Sequence, residues 1–163
     1  MSTTAAVPLG PLVMMFRINV TLISRAMDGL SDDQLWRRPT DHNNPILWLV
    51  GHVVRSRARL LTALGGTFDT GWGEAFARGS AVEDRVAYVS HAEITAMMNA
   101  VNQQLYPKLE SLRDDDLAKP ATGPVPLIKT VADLATFLTM HESYHVGQMG
   151  YIRKTLGLPG LIG

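Results

Sequence analysis

The sequence predicts an all-α fold, a four-helix bundle with irregular connecting loops. Three observations carry this. Apolar residues recur at helical spacing in four separate stretches. Helix-start residues stand in front of the later stretches, and Gly or Pro follows them. No segment alternates apolar and polar residues as a strand would. Four amphipathic helices bury their stripes best against one another. With 163 residues the chain holds one domain, spanning 1–163, with residues 1–8 as a loose tail.

The first helix is expected from Leu9 to Met27, on the stripe Leu12, Met15/Phe16, Asn19, Leu22/Ile23 and Ala26. Asn19 is its polar exception and reads as a hydrogen-bond partner for a neighbouring helix. Ser31-Asp32-Asp33-Gln34 has the form of a capping box. Arg38-Pro39 stops the turn that follows, and Leu35 and Trp36 pin it to the core. His42 falls in a polar loop.

Asn44-Pro45 starts the second long helix, with Asn44 as cap and Pro45 in the first turn. It is expected to reach Leu64, before Gly65-Gly66. Its stripe is Ile46, Leu49/Val50, Val53, Leu60/Leu61 and Leu64, and His52 flanks it beside Gly51. A glycine inside a helix costs about 1 kcal/mol relative to Ala, so Gly51 marks a close approach by another group. Arg55, Arg57 and Arg59 read as a solvated basic face, with Arg55 or Arg59 available to an anionic ligand.

Residues 65–89 are Gly-rich and irregular. Trp72 and Phe76 in this loop either cap the end of the bundle or wall a pocket. Ser90 and Glu93 form a second capping box, before a helix expected to run to Leu112 with Pro107 kinking or shortening it. Residues 113–128 read as an irregular connection. Thr130 with Asp133 caps the last helix, expected to reach Leu156.

That last helix carries His141-Glu142-Ser143-Tyr144-His145-Val146-Gly147-Gln148. Histidines four apart point the same way, one turn apart. Read on the stripe Leu134, Leu138, His141, His145, Gln148/Met149 and Ile152, they face inward, where unpartnered polar groups cost several kcal/mol. A metal ion partners two neutral imidazoles at this spacing, whereas ordinary core histidines would need hydrogen bonds instead. The third ligand comes from His42, His52, His91 or a carboxylate. His52 alone among those histidines lies within a long apolar helix, near its middle, as the pair lies in the last helix. Three histidines leave an open position, the catalytic pattern.

The same stretch spells HExxH, the zincin protease signature. No Asp, Glu or His follows His145 to complete that site, and no strands are predicted for a zincin domain. The protease reading fails on both counts.

The absence of cysteine removes thiolate ligands, disulfides and a protein thiol nucleophile. Any metal site must use nitrogen and oxygen, and any thiol chemistry needs a small-molecule thiol. Fifteen basic and fifteen acidic residues give no electrostatic reason for nucleic acid or an anionic membrane. The N-terminus lacks a signal-peptide pattern and no stretch reaches membrane-spanning length, so a cytoplasmic location is expected.

Gly51-His52 after Asn44-Pro45-Ile46-Leu47-Trp48-Leu49, the Leu30–Leu35 turn, and His141 through Gln148 together resemble the DinB-like family over nearly the whole chain. The resemblance implies a four-helix bundle with an up-up-down-down-like connection, usually a homodimer. It also implies a divalent metal, zinc or nickel, on His52, His141 and His145. Relatives include thiol-cofactor S-transferases using bacillithiol, mycothiol or glutathione, and many members have no known activity. The expected function is therefore a metal-dependent, thiol-dependent S-transferase acting on a small molecule. Metal-dependent hydrolysis and non-enzymatic metal binding in a stress response are the alternatives. In these readings Glu142 assists proton transfer or sits on the helix surface. Gln148, one turn past His145, orients a ligand by a hydrogen bond. Trp72 and Phe76 line the pocket, and Arg55 or Arg59 meets a cofactor carboxylate.

Overall fold

A computed structural model describes residues 9–80 and 89–162. The expected 1–8 tail and the 81–88 part of the irregular stretch lie outside these residues. Four long helices, α1 (Leu9–Met27), α3 (Ile46–Ala63), α4 (His91–Glu110) and α6 (Val131–Thr155), form the bundle. Two single-turn helices, α2 (Asp32–Leu35) and α5 (Asp114–Leu117), lie in the connections. No strand occurs among the described residues, only one isolated bridge between Pro120 and Thr130.

The capping boxes at Ser31/Gln34, Ser90/Glu93 and Thr130/Asp133 form as read, each joining the cap hydroxyl to the third backbone N–H. Gly65 (φ 77°) and Gly157 (φ 78°) take the left-handed conformation just past α3 and α6. Two boundaries differ from expectation. Asn44 does not cap α3: Pro45 occupies the cap position, its carbonyl accepting from Leu49, with no side-chain cap bond. α4 runs through Pro107 and stops at Glu110, within one turn of it; the proline lacks the N–H that would bond the carbonyl of Gln103.

Arg153 of α6 meets the carbonyl of Ala26 while Asn19 meets that of Thr139, so α1 and α6 run parallel. Arg17 pairs with Glu110, and Asp32 just beyond α1 accepts from the His91 N–H, so α1 and α4 are antiparallel. His52 faces His141 while Arg59 reaches back to Thr122, so α3 and α6 are antiparallel. The chain therefore goes up, down, down, up, which corrects the up-up-down-down expectation. α1 packs mainly on α6 and α4, and α3 likewise, which leaves α1 and α3 across the diagonal. The two parallel helices α3 and α4 follow each other in sequence.

The core contains Phe16, Ile23, Leu49, Val53, Leu60, Val101, Leu105, Leu134 and Met149. Asn19 behaves as expected, buried and bonded to α6. The core face of α6 differs. It runs Leu134, Leu138, Glu142, Val146, Met149 and Ile152, not through His141 and Gln148. The histidines stand at its edge, on the seam with α3.

Candidate metal centre

The seam between α3 and α6 brings three imidazoles together. His52 Nε2 lies 3.3 Å from His141 Nε2, and His145 Nε2 lies 3.0 Å from the same atom. The other ring nitrogens fix the tautomers. His52 Nδ1 stands 2.7 Å from the Phe76 carbonyl, which only accepts, so Nδ1 carries the proton. His145 Nδ1 stands 2.6 Å from Gln148 Oε1, whose amide nitrogen donates to the Tyr144 hydroxyl. Two bare Nε2 lone pairs therefore face one point from opposite helices, with His141 Nε2 as the third. A single N–H on His141 satisfies only one of them at a time; a cation satisfies all three.

Ligands about 2.1 Å from a shared ion stand about 3.0 Å apart at a right angle and about 3.4 Å apart at a tetrahedral one. Both measured separations fall in that interval. No carboxylate or further histidine joins the three among the described residues. The donor set thus fits a divalent ion that accepts imidazole. Burial lowers the pKa of each histidine from the ordinary 6.5, with Arg55 adding to the effect on His52. His141 falls to about 4, through burial first and then the positive charge its two neighbours would carry. All three are neutral at pH 7, the form a metal needs.

Local sequence explains the placement. Phe76 adopts φ 62°, a region bulky residues avoid, and this aims its carbonyl at His52. Its ring is fully buried over Gly51, where an added Cβ would come within 2.5 Å of it. This is the close approach that a glycine in mid-helix implied. Trp48 stacks on His52 at 5.1 Å and 8°, and Phe137 on His141 at 5.8 Å and 22°.

The centre opens into a cavity of about 770 Å³. Arg55, Arg59 and Arg78 line it, with Trp48, Phe137, Tyr144 and Gln148. Arg55 is held by the Gly73 carbonyl and Glu74, and Arg59 by the Thr122 carbonyl. No Asp or Glu appears among the described lining residues.

A family model described as the DinB superfamily matches residues 15–149. The chain belongs to the DinB superfamily. Among solved structures, the DinB fold seen here is similar to the crystal structure of the conserved protein of locus from Enterococcus faecalis. The TM-score is 0.72 at 14% identity, covering 94% of this chain and 96% of that one. A search of the curated proteins finds no match.

Of the site residues expected from sequence, the DinB bundle brings together His52, His141, His145, Gln148, Arg55 and Arg59. His42 is exposed in its loop, and His91 starts α4, its N–H on Asp32. Trp72 and Phe76 are a correction: they do not line the cavity but pack edge to face at 4.9 Å. Trp48, Phe137 and Tyr144 supply the walls instead. Their signal was an aromatic residue four before a histidine, twice over, at Trp48/His52 and Phe137/His141.

Glu142 is the larger correction. It is neither on the surface nor at the histidines, but fully buried in the core. Both of its oxygens accept from Arg57, at 2.7 Å each, and one also meets Asn19. Burial pushes its carboxyl up and Arg57 pulls it back. Arg57, read as solvated, is equally buried. Burial works against its charge, but Glu142 and Tyr106 outweigh that and raise its pKa. The signal was the gap between Val53 and Leu60 in the α3 stripe, which Arg57 fills one turn past Val53.

Proposed function

We propose that this protein is a metal-dependent transferase that presents a small anionic thiol to an electrophile. The observation that carries the reading is a three-histidine cluster at the floor of a cavity walled by three arginines and, among its described residues, no acid. A divalent ion, zinc or nickel, supplies Lewis acidity that lowers the pKa of a bound thiol. The chain's own residues do the rest. Phe76 and Gln148 hold two imidazoles in the Nδ1–H tautomer, so that their Nε2 atoms face the centre. Arg59 offers its guanidinium to a cofactor carboxylate, and Arg55, already paired with Glu74, does so by exchanging that exposed partner. Trp48, Phe137 and Tyr144 provide flat faces for the electrophile and keep water away.

The arrangement counts against the hydrolase alternative. A hydrolase of this kind needs a base to take a proton from water, and Glu142 is committed to Arg57. The absence of protein cysteine agrees with a thiol brought in from outside.

The test is metal content followed by turnover. Wild type should hold a full equivalent of zinc or nickel, and His52→Ala should lose it with the helical spectrum intact. Loaded protein is then given bacillithiol, mycothiol or glutathione with a chromogenic electrophile. Thiol-dependent product formation, with KM for the thiol raised in Arg59→Ala, supports the proposal. Turnover of ester or amide substrates without thiol would replace it with hydrolysis. Metal retention in His52→Ala would move the third ligand elsewhere.

A further inference from the structure

We infer that the buried Arg57–Glu142 pair is the positioning element of the histidine site, setting the register of α3 against α6 that brings His52 to His141 and His145. The inference rests on the metal-centre reading above.

The guanidinium of Arg57 has five N–H donors, and the structure engages them all. Nε and Nη2 donate to the two oxygens of Glu142 on α6. Nη1 donates to Asn102 Oδ1 and the Tyr106 hydroxyl on α4. Nη2 also donates to the Phe16 carbonyl on α1, 2.9 Å away. One side chain of α3 thus joins the other three long helices, and Asn19 of α1 completes the carboxylate.

Such a pair adds little net stability. Removing two charges from water costs several kcal/mol per ion, and well-packed apolar residues of similar volume often do as well or better. What the pair does supply is direction. A planar fork bonded to both carboxylate oxygens tolerates neither a slide nor a rotation of one helix on the other. Its residues are interleaved with the ligands. Arg57 follows His52 by five residues, and Glu142 sits between His141 and His145. Moving α3 one turn along α6 would shift His52 by about 5.4 Å, beyond ligand range. The hydrophobic term is not directional, so apolar contacts specify this register less sharply than the bonded fork does.

The experiment compares zinc affinity and stability in the intact chain. Affinity is read by competition with a chromogenic chelator, coordination geometry by the visible spectrum of the cobalt-loaded protein, and stability by urea unfolding without metal. Arg57→Met/Glu142→Leu replaces the pair by apolar bulk. We expect it to fold with apo stability near wild type, yet to bind zinc about tenfold or more weakly, with an altered cobalt spectrum. Ile94→Ala, in the first turn of α4 and about 12 Å along it from Asn102, should lose stability and keep wild-type affinity. Should the double variant not fold, Arg57→Lys decides by the same criteria, since it keeps the charge and loses the fork. A folded pair variant with wild-type zinc affinity and cobalt spectrum overturns the inference. Wild type that takes up neither ion overturns the metal-centre reading beneath it.

Discussion

Two polar clusters lie side by side on α3 and α6, and they are built on opposite principles. At the Arg57–Glu142 cluster every N–H of the guanidinium has an acceptor, both charged side chains are fully buried, and contacts reach all four long helices. At the histidine cluster two lone pairs face a third nitrogen, and His141 Nδ1 meets no partner among the described residues. A closed, satisfied network holds a fold in one arrangement. An open cluster with converging lone pairs offers itself to a ligand. His141 and Glu142 are neighbours in sequence, yet the helical turn of about 100° per residue sends them to different clusters. Reactivity and rigidity are thus separated by one residue.

Breaking the closed cluster one-sidedly should have the largest effect. Arg57→Ala or Glu142→Ala leaves a buried charge unpaired, at about 3–5 kcal/mol. That is a large part of the roughly 5–15 kcal/mol available to a domain. Urea unfolding of each variant against wild type checks this. A loss under 1 kcal/mol in both would mean the pair is wetter than the structure shows.

Acid should weaken the open cluster. In the folded apo chain His141 takes a proton only near pH 4, while in the unfolded chain it does so near 6.5. Below pH 6.5 the unfolded state therefore binds more protons, and apo stability falls as pH drops from 6.5 toward 4. Metal release should follow the same direction, because the ligands must be neutral. Stability measured at steps across this range should fall less steeply in His141→Ala. An unchanged slope would assign the titration elsewhere.

The smallest expected effect sharpens the comparison through two glycines. Gly51→Ala forces the Phe76 ring aside and moves the carbonyl that orients His52, at about 1–3 kcal/mol with weakened zinc binding. Gly147→Ala on α6 meets nothing within 4 Å, so it should leave stability level or raise it by up to about 1 kcal/mol. Thermal melts and zinc titrations of both report whether the access side of His52 or of α6 controls the site.

Much of this was legible in the chain. Each capping box and both glycine stops appear where hydroxyls and φ-permissive residues stand in the sequence, since these are local interactions within a few residues. The three histidines were legible because i,i+4 spacing is also local, and because His52 sits in mid-helix. Glu142 was misread because the α6 stripe can be drawn through either Leu138–His141–His145 or Leu138–Glu142–Val146, and helical periodicity satisfies both. Arg57 was misread because a buried arginine is rare, and only a carboxylate on another helix makes it affordable.

The sequence by itself determined four amphipathic helices, most of their ends, and the histidine pair of α6. These depend on contacts within a turn or two of the chain. Tertiary structure alone decided which face of α6 meets the core and the up-down-down-up order. It alone decided that Phe76 offers a carbonyl rather than a ring to the site, and that Arg57 spans the bundle. Each of those depends on a partner dozens of residues away, and no local pattern encodes where that partner will stand.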